Sequence, residues 1–381
     1  MAIIKPPPPI TSYFVGIVDP RLDRRRAHRL IDIIMVAICG VLCGADSWVE
    51  VEAVGTARQA WFKTFLELPN GIPSHDTFGR VFALLDAKQF QASFAEWMRS
   101  VASLTEGQVI AVDGKTNRRT FGTLTKALHL VSAFATANGV SLGAVATNKK
   151  SNEITAIPEL LKLLDISGCL ITTDAMGCQG DIAADIVHRS GDYLLAVKGN
   201  QGLLYRDIKA CFADSKLGRD ITVSESKGHG RTEKRTCEVM SGETVLAKLR
   251  HKNNWLGLAT VIRVTSERMV TVRGAVTRSI QHRYYICSLD KPGAVQMQAA
   301  VRAHWGVENG LHWTIDMAFR EDDSRIRTGQ APANMAVLRH IALNLIRGDK
   351  TRKLGVKASR LLAALDSQYL GRLVGVATSG V

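Results

Sequence analysis

Two short runs constrain this chain most. Val109, Ile110, Ala111 and Val112 lead straight into Asp113, with Gly114 and Lys115 behind it. Cys169, Leu170, Ile171, Thr172 and Thr173 lead in the same way into Asp174. An unbroken apolar or β-branched run of this length reads as a strand buried on both faces of a sheet. The acid at its end then emerges at the rim of the core, where it can face an ion or a substrate. If the two strands lie side by side, Asp113 and Asp174 are neighbours. Two close carboxylates are costly unless a cation lies between them.

The flanking sequence supplies the rest of such a sheet. Leu128–Ala135 and Val140–Ala146 read as strands joined at Asn138-Gly139, a pair that favours a two-residue hairpin turn. A helix over Ile154–Leu164, the Asp174 strand, a helix over Asp181–His188 and a strand over Tyr193–Val197 follow. Lys198-Gly199-Asn200-Gln201 closes that strand and opens another helix. Three antiparallel strands and then βα units is the ribonuclease H-like order, in which the first and fourth strands are neighbours. The fold class expected is therefore α/β: a mixed sheet with flanking helices.

Residues 1–104 read as a helical unit in front of this sheet. Residues 1–11, with four consecutive prolines, suggest an extended arm and no export signal. The apolar stretch Ile33–Ala45 is too short for a membrane span and is bracketed by Asp32 and Asp46, so it reads as a buried helix. Ser74 is placed to cap a helix that begins at His75 and Asp76. The cluster Arg21, Arg24, Arg25, Arg26, His28 and Arg29 is either a solvated helix start or a set of phosphate contacts. The balance of 49 basic against 35 acidic residues, a net +14, favours a polyanionic partner such as nucleic acid. Seven scattered cysteines with no CxxC pair argue against a disulfide framework or a cysteine zinc site.

After the core strands, residues 214–290 turn rich in glycine, threonine and arginine, with short β-type runs at Leu256–Val264, Met269–Val272 and Tyr284–Ile286. They read as a β-rich insertion, in which Gly228-His229-Gly230-Arg231 is a turn or a DNA contact. One strong helix is expected from Ala294 to Met317. On it His304, Glu308 and His312 recur every four residues and share a face. That face is either a histidine–carboxylate zinc site or a third carboxylate joining the Asp pair. Trp305 and Trp313 are expected to pack in the core, and Gly306 and Gly310 to admit a close neighbour, backbone or DNA. A charged loop over Phe319–Arg327, a helix over Asn334–Arg347 and a basic tail over 351–381 complete the chain.

Taken together, NGIPSHDTFGRVF, VIAVDGKTNRRT, KSNEITAIPELL, TTDAMGCQ, DYLLAVKGNQ, GHGRTEKR and RAHWGVENGLHWTIDMAFREDDSRIR resemble, in this order, the bacterial DDE insertion-sequence transposases, in the H-repeat-associated branch. The resemblance covers nearly the whole chain. It implies a ribonuclease H-like catalytic core split into 105–213 and 291–350, with the insertion at 214–290 and a DNA-binding unit at 1–104. It implies a catalytic and metal-binding triad of Asp113, Asp174 and Glu308. The cofactor would be magnesium, with manganese able to substitute. The activity would be cleavage and strand transfer of an insertion sequence; the alternative is a silent or domesticated DNA-binding relative. Partners would be duplex DNA with terminal inverted repeats and target DNA, with no membrane. Holding two ends suggests a homodimer on DNA, in the bacterial cytoplasm at the nucleoid. The wider superfamily carries Tyr, Arg and Lys around its last Glu; this chain has Val301, His304 and Ile315 there. Candidate DNA contacts are Arg24, Arg25, Arg26, Lys115, Lys198, His229, Arg231, Arg302, His304 and His312.

Overall fold

The structure, a computed structural model, describes residues 9–102, 107–117, 119–120, 127–147, 153–228, 230–272 and 275–376. The first eight residues of the expected arm, the polar connection at 149–152 and His229 lie outside them. Ile10 and Thr11, the end of the arm expected to be extended, instead begin a single helical turn over Ile10–Tyr13, with Ile10 buried.

Five helices precede the sheet: α1 (Leu30–Leu42), α2 (Trp48–Ala57), α3 (Gln59–Phe62), α4 (His75–Leu84) and α5 (Ala87–Val101). Helix α1 is apolar all round and buried from Asp32 to Leu42, as a central helix must be. Its one acid, Asp32, accepts the Leu68 N–H at 3.0 Å. Ser47 and Glu50 form a capping box on α2, Ser74 caps α4 through the Thr77 N–H, and Asp86 caps α5. His75 pairs with Glu52 at 2.6 Å, a contact within the helical unit.

The sheet strands are β1 (Val109–Thr116), β2 (His129–Ala135), β3 (Val140–Thr147), β4 (Leu170–Thr173) and β5 (Asp192–Val197), with α6 (Glu153–Leu161), α7 (Gly180–His188) and α8 (Gly202–Ala213) between and after them. The insertion adds β6 (Asp220–Gly228), β7 (Arg231–Ser241), the short α9 (Glu243–Leu246), β8 (Thr260–Val272) and β9 (Ala275–Cys287). All nine strands form one sheet in the order β3-β2-β1-β4-β5-β9-β8-β7-β6. Pairs β1–β4 and β4–β5 are parallel, and Val112 lies opposite Thr173. This is the ribonuclease H-like core, with β1 beside β4. The insertion continues the core sheet through β5 and β9, with Leu194 opposite Cys287. Its last two strands are 13 residues each, far longer than the short runs suggest. Their distal halves carry polar runs, Ser266-Glu267-Arg268 and Thr277-Arg278-Ser279, which break up the hydrophobic signal.

The turn at Asn138-Gly139 spans four residues rather than two, since β2 ends at Ala135 and β3 begins at Val140. Gly139 closes it with φ +69°, where a glycine is favoured. An extra residue in β3, Leu142, has no opposite number in β2. Ser141 thereby meets α12 (Ala331–Gly348), whereas Gly143 packs against Leu160 of α6.

Helix α10 (Ala294–His304) packs its Ala294, Met297, Ala300 and Val301 on Leu170, Leu194, Cys237, Ile262 and Tyr285. It thus joins the core strands and the insertion under one apolar layer. The expected continuous helix to Met317 does not form. Val307–His312 wind as a π-helical turn, and α11 (Trp313–Phe319) follows. Trp305 and Trp313, expected in the core, are 39% and 61% exposed. Gly310 gives room to the ring of Phe134, a side chain rather than a backbone.

Helix α12 is the chain's long tie. It packs against α1, α4, α5 and β3, so the helical segment and the sheet share one hydrophobic core. The tail forms α13 (Val356–Leu365) and α14 (Ser367–Val374), which close over α1. Buried Arg360 donates to the Val41 and Ala45 carbonyls and pairs with Asp46 at 3.0 Å. No helix among the described residues is long and apolar enough to cross a membrane.

Asn334 and His340 are polar groups buried on α12. Asn334 Nδ2 donates to the Phe82 and Leu85 carbonyls at 2.8 and 2.9 Å, at the end of α4. Asn334→Ala strands both carbonyls and should cost about 2–4 kcal/mol in urea unfolding; a change below about 0.5 kcal/mol would contradict this role. His340 contacts Ser141 Oγ at 2.7 Å. Burial, with Lys115 and Arg339 near, pushes its pKa from 6.5 down to about 4, against the pull of Glu321. The folded chain therefore takes up this proton less readily than the unfolded one. Stability present above pH 6.5 should drain away toward pH 4, by roughly 3 kcal/mol for this group. His340→Gln should flatten that part of the urea-midpoint profile; an unchanged slope would contradict a neutral buried His340.

Candidate active site

The in-register parallel pairing of β1 and β4 brings Asp113 and Asp174 to the same end of the sheet. Asp174 Oδ1 accepts the Met176 and Gly177 N–H groups at 2.8 and 3.3 Å, which fixes the turn after β4. Asp113 is largely buried. Burial pushes its carboxyl up to about 7, and the charges of Asp174, Glu308 and Glu153 push the same way, against a hydrogen bond from the Gly114 N–H. Glu308 projects from the π-helical turn and is exposed. All three acids line one cleft of about 480 Å³, with Thr172, Lys198, Arg283, His304 and Trp305.

Among the described residues, no three or more His, Cys, Asp or Glu side chains are placed together so as to hold a metal ion. The acids nonetheless suit a divalent cation. Hard oxygen donors are what magnesium and manganese take. The buried Asp113 carboxyl, crowded by like charges, is the group a cation would relieve. The nearest strand cation does not relieve it, because Lys115 is engaged elsewhere. Its ammonium pairs with Asp316, with Glu321 at 3.0 Å and with Asp322 at 3.9 Å. Burial alone would lower the Lys115 pKa, but Glu321 and Asp316 raise it above its usual value.

Three candidate DNA contacts have partners within the protein. Lys115 belongs to an internal ion cluster. His304 is held by Thr172 Oγ1 at 2.9 Å, and burial lowers its pKa to about 4, opposed by Asp174 and a backbone bond at Thr172. His312 lies with Nδ1 3.7 Å from Asp113 Oδ2, and burial, then Lys115, lowers its pKa to about 4. Burial thus disfavours the charged form of both histidines, so neither offers a phosphate a fixed positive charge. Among the described residues His304, Glu308 and His312 form no group placed to hold a metal, so the zinc-binding face considered above is not formed.

The remaining candidates are scattered. Lys198 is exposed in the cleft and Arg302 is exposed on the last turn of α10. Arg231 stands at the far tip of the insertion, opposite Gly228. Arg24 is exposed, and Arg26 pairs with Asp23 at 2.7 Å and with Asp19 at 3.6 Å. The side chain of Arg25, like His229, lies outside the described residues.

Sequence reading missed two supports of the site. On the face of β1 opposite Asp113, His129 and Glu153 form a buried pair at 2.7 Å, and His129 also meets Thr116 Oγ1 at 2.8 Å. A Cβ at Gly114 would collide with both, which is why a glycine follows Asp113. That glycine inside a strand was the available signal. The second support is Arg347. It reaches from α12 to the Gly139 carbonyl, to the Gly310 carbonyl at 2.5 Å and across the ring of Phe134. It ties the β2–β3 turn to the π-helical turn that carries Glu308. No local pattern reveals it.

Comparison with known proteins identifies the family. Residues 104–345 match the family described as "Transposase DDE domain", and residues 11–98 match its associated region, "DDE_Tnp_1-associated". The chain is 41% identical over 366 residues to "Putative transposase YncI" of Escherichia coli O157:H7, covering 95% of this chain and 93% of that one. It is 39% identical over 363 residues to "H repeat-associated putative transposase YhhI" of Escherichia coli K12, covering 94% and 95%. A piggyBac transposase in a synaptic complex with hairpin DNA is 12% identical, with a TM-score of 0.41, over 97% of this chain and 80% of that one. By the family match and these relatives, the chain belongs to the DDE-domain transposases, in their H-repeat-associated branch.

Proposed function

We propose that this chain cuts the ends of an insertion sequence and joins them to target DNA. The observation that carries the reading is Asp113: a buried carboxyl pushed up to about 7 beside two further acids, in a cleft open to solvent. Asp113, Asp174 and Glu308 would hold the divalent ions, magnesium or manganese in place of it. Metal held there would supply activation of an attacking oxygen and stabilisation of the leaving one in an in-line phosphoryl transfer.

The chain's own residues do the positioning. Asp174 is oriented by its turn amides, and Asp113 is set by β1 between Asp174 and His312. Neutral His304 fills the floor of the cleft without competing as a cation. Lys198 and Arg283 lie on the cleft wall, where the scissile strand's phosphates would pass. The substrates are duplex DNA bearing terminal inverted repeats, then target DNA. Two copies of the chain would hold the two ends.

A labelled duplex carrying the element's own terminal repeat tests this. Cutting should require magnesium, stop in EDTA and fall roughly a thousandfold in Asp113→Ala, about 4 kcal/mol of transition-state stabilisation. DNA bound but uncut in every lane would contradict the reading and favour a silent DNA-binding relative.

A further inference from the structure

A second groove, of about 690 Å³, opens outside the active-site cleft. One wall is α4 with the start of α2; the other is the loop Arg325–Thr328 that follows α11. The motifs around Asp76 and Arg325, more than two hundred residues apart in sequence, face each other across it.

Three exposed arginines line this groove: Arg80 on α4, and Arg325 and Arg327 on the loop. Among the described residues Arg80 donates to the Asp76 carbonyl, at 3.2 Å, and to Thr77 Oγ1, at 3.5 Å. Arg327 donates to the Arg119 carbonyl at 3.0 Å. Among the described residues none of the three pairs with a carboxylate. The loop's acids serve other cations: Glu321 and Asp322 face Lys115, and Asp323 pairs with Arg119 at 3.1 Å and Arg320 at 3.4 Å. Of the two acids lining the groove, Asp46 is held by Arg360, leaving Asp76 at the start of α4. The groove keeps an excess of free guanidinium groups, whose forked donors match phosphate oxygens. Val49 and Leu84, both exposed at its edge, offer apolar contact to sugars.

Its position relates it to the acids. Lys115 lies two residues beyond Asp113 and is bound by Glu321, four residues before Arg325. These chain segments reach at most about 7 Å and about 14 Å. With the two side chains and their ion pair added, Arg325 lies within about one duplex turn, ~34 Å, of Asp113, a separation that one DNA segment can bridge.

We propose that this groove carries the backbone of duplex DNA beside the active site, with Arg80, Arg325 and Arg327 as phosphate contacts that set the register of the DNA end on Asp113. The assignment rests on the DNA-directed function proposed above and names its docking surface.

The test is salt-dependent binding of a short random-sequence duplex, labelled with fluorescein, to the full chain in EDTA. Each phosphate contact contributes about 0.9 to the slope of log affinity against log salt. Arg80→Gln with Arg325→Gln should lower the slope by about 1.8 and weaken binding at least about tenfold at moderate salt. Arg80→Lys with Arg325→Lys should restore most of the slope. Lys162→Gln with Lys216→Gln, an equal charge loss at exposed sites elsewhere, should leave it unchanged. Urea midpoints establish that each pair remains folded. Unchanged binding by the Arg80/Arg325 pair, against tight binding by the unaltered chain, would overturn the groove and leave the cutting reading standing. An equal fall in the lysine pair would mark diffuse charge and also overturn it. No duplex binding by the unaltered chain would overturn both.

Discussion

The parallel pairing of β1 with β4 is the constraint on which the rest depends. Strand order reverses there: β2 and β3 continue to one side, β4 and β5 to the other. Ligands of open α/β sheets sit at such switch points, beyond the carboxyl ends of the strands. The register that sets Val112 opposite Thr173 puts Asp113 and Asp174 together at that end. Burial, and then crowding by Asp174, raise the Asp113 carboxyl to about 7. A chain meant only for stability would relieve this with the adjacent lysine. Here Lys115 is drawn instead to Asp316 and Glu321, and the acids are left facing the cleft.

The π-helical turn at Val307–His312 is the second requirement. Such turns interrupt the regular hydrogen-bond ladder and recur at functional sites. This one is held from three sides. Phe134 of β2 packs against Gly310, Arg347 of α12 bonds the Gly310 carbonyl, and Val307 and Leu311 are buried. Arg347 is itself desolvated, its pKa lowered by burial, and is satisfied by carbonyls rather than by an acid. Glu308 is thereby carried at the cleft on a segment anchored to both the sheet and the long helix α12.

Much of this was legible in the sequence because it is written locally. The runs before Asp113 and Asp174 announced buried strands, Ser74 announced a cap, and the strand-helix order announced the ribonuclease H-like core. What escaped depends on distant residues. The spacing of His304, Glu308 and His312 is that of an α-helix, and nothing nearby warns that Phe134 and Arg347 hold a π-helical turn instead. Lys115 reads as a free cation until the fold brings Asp316 and Glu321 to it. Trp305 reads as core until β9 puts the Arg283 guanidinium over its ring, 4.8 Å from the centroid, at the rim of the cleft.

The most direct measurement is the anomalous diffraction of crystals of this chain soaked in manganese. If Asp113, Asp174 and Glu308 are one metal site, a manganese peak should lie between the Asp113 and Asp174 carboxylates, with Glu308 turned toward it, and should vanish in Asp113→Asn. Manganese bound only elsewhere, with Asp113 still facing His312 alone, would contradict the account.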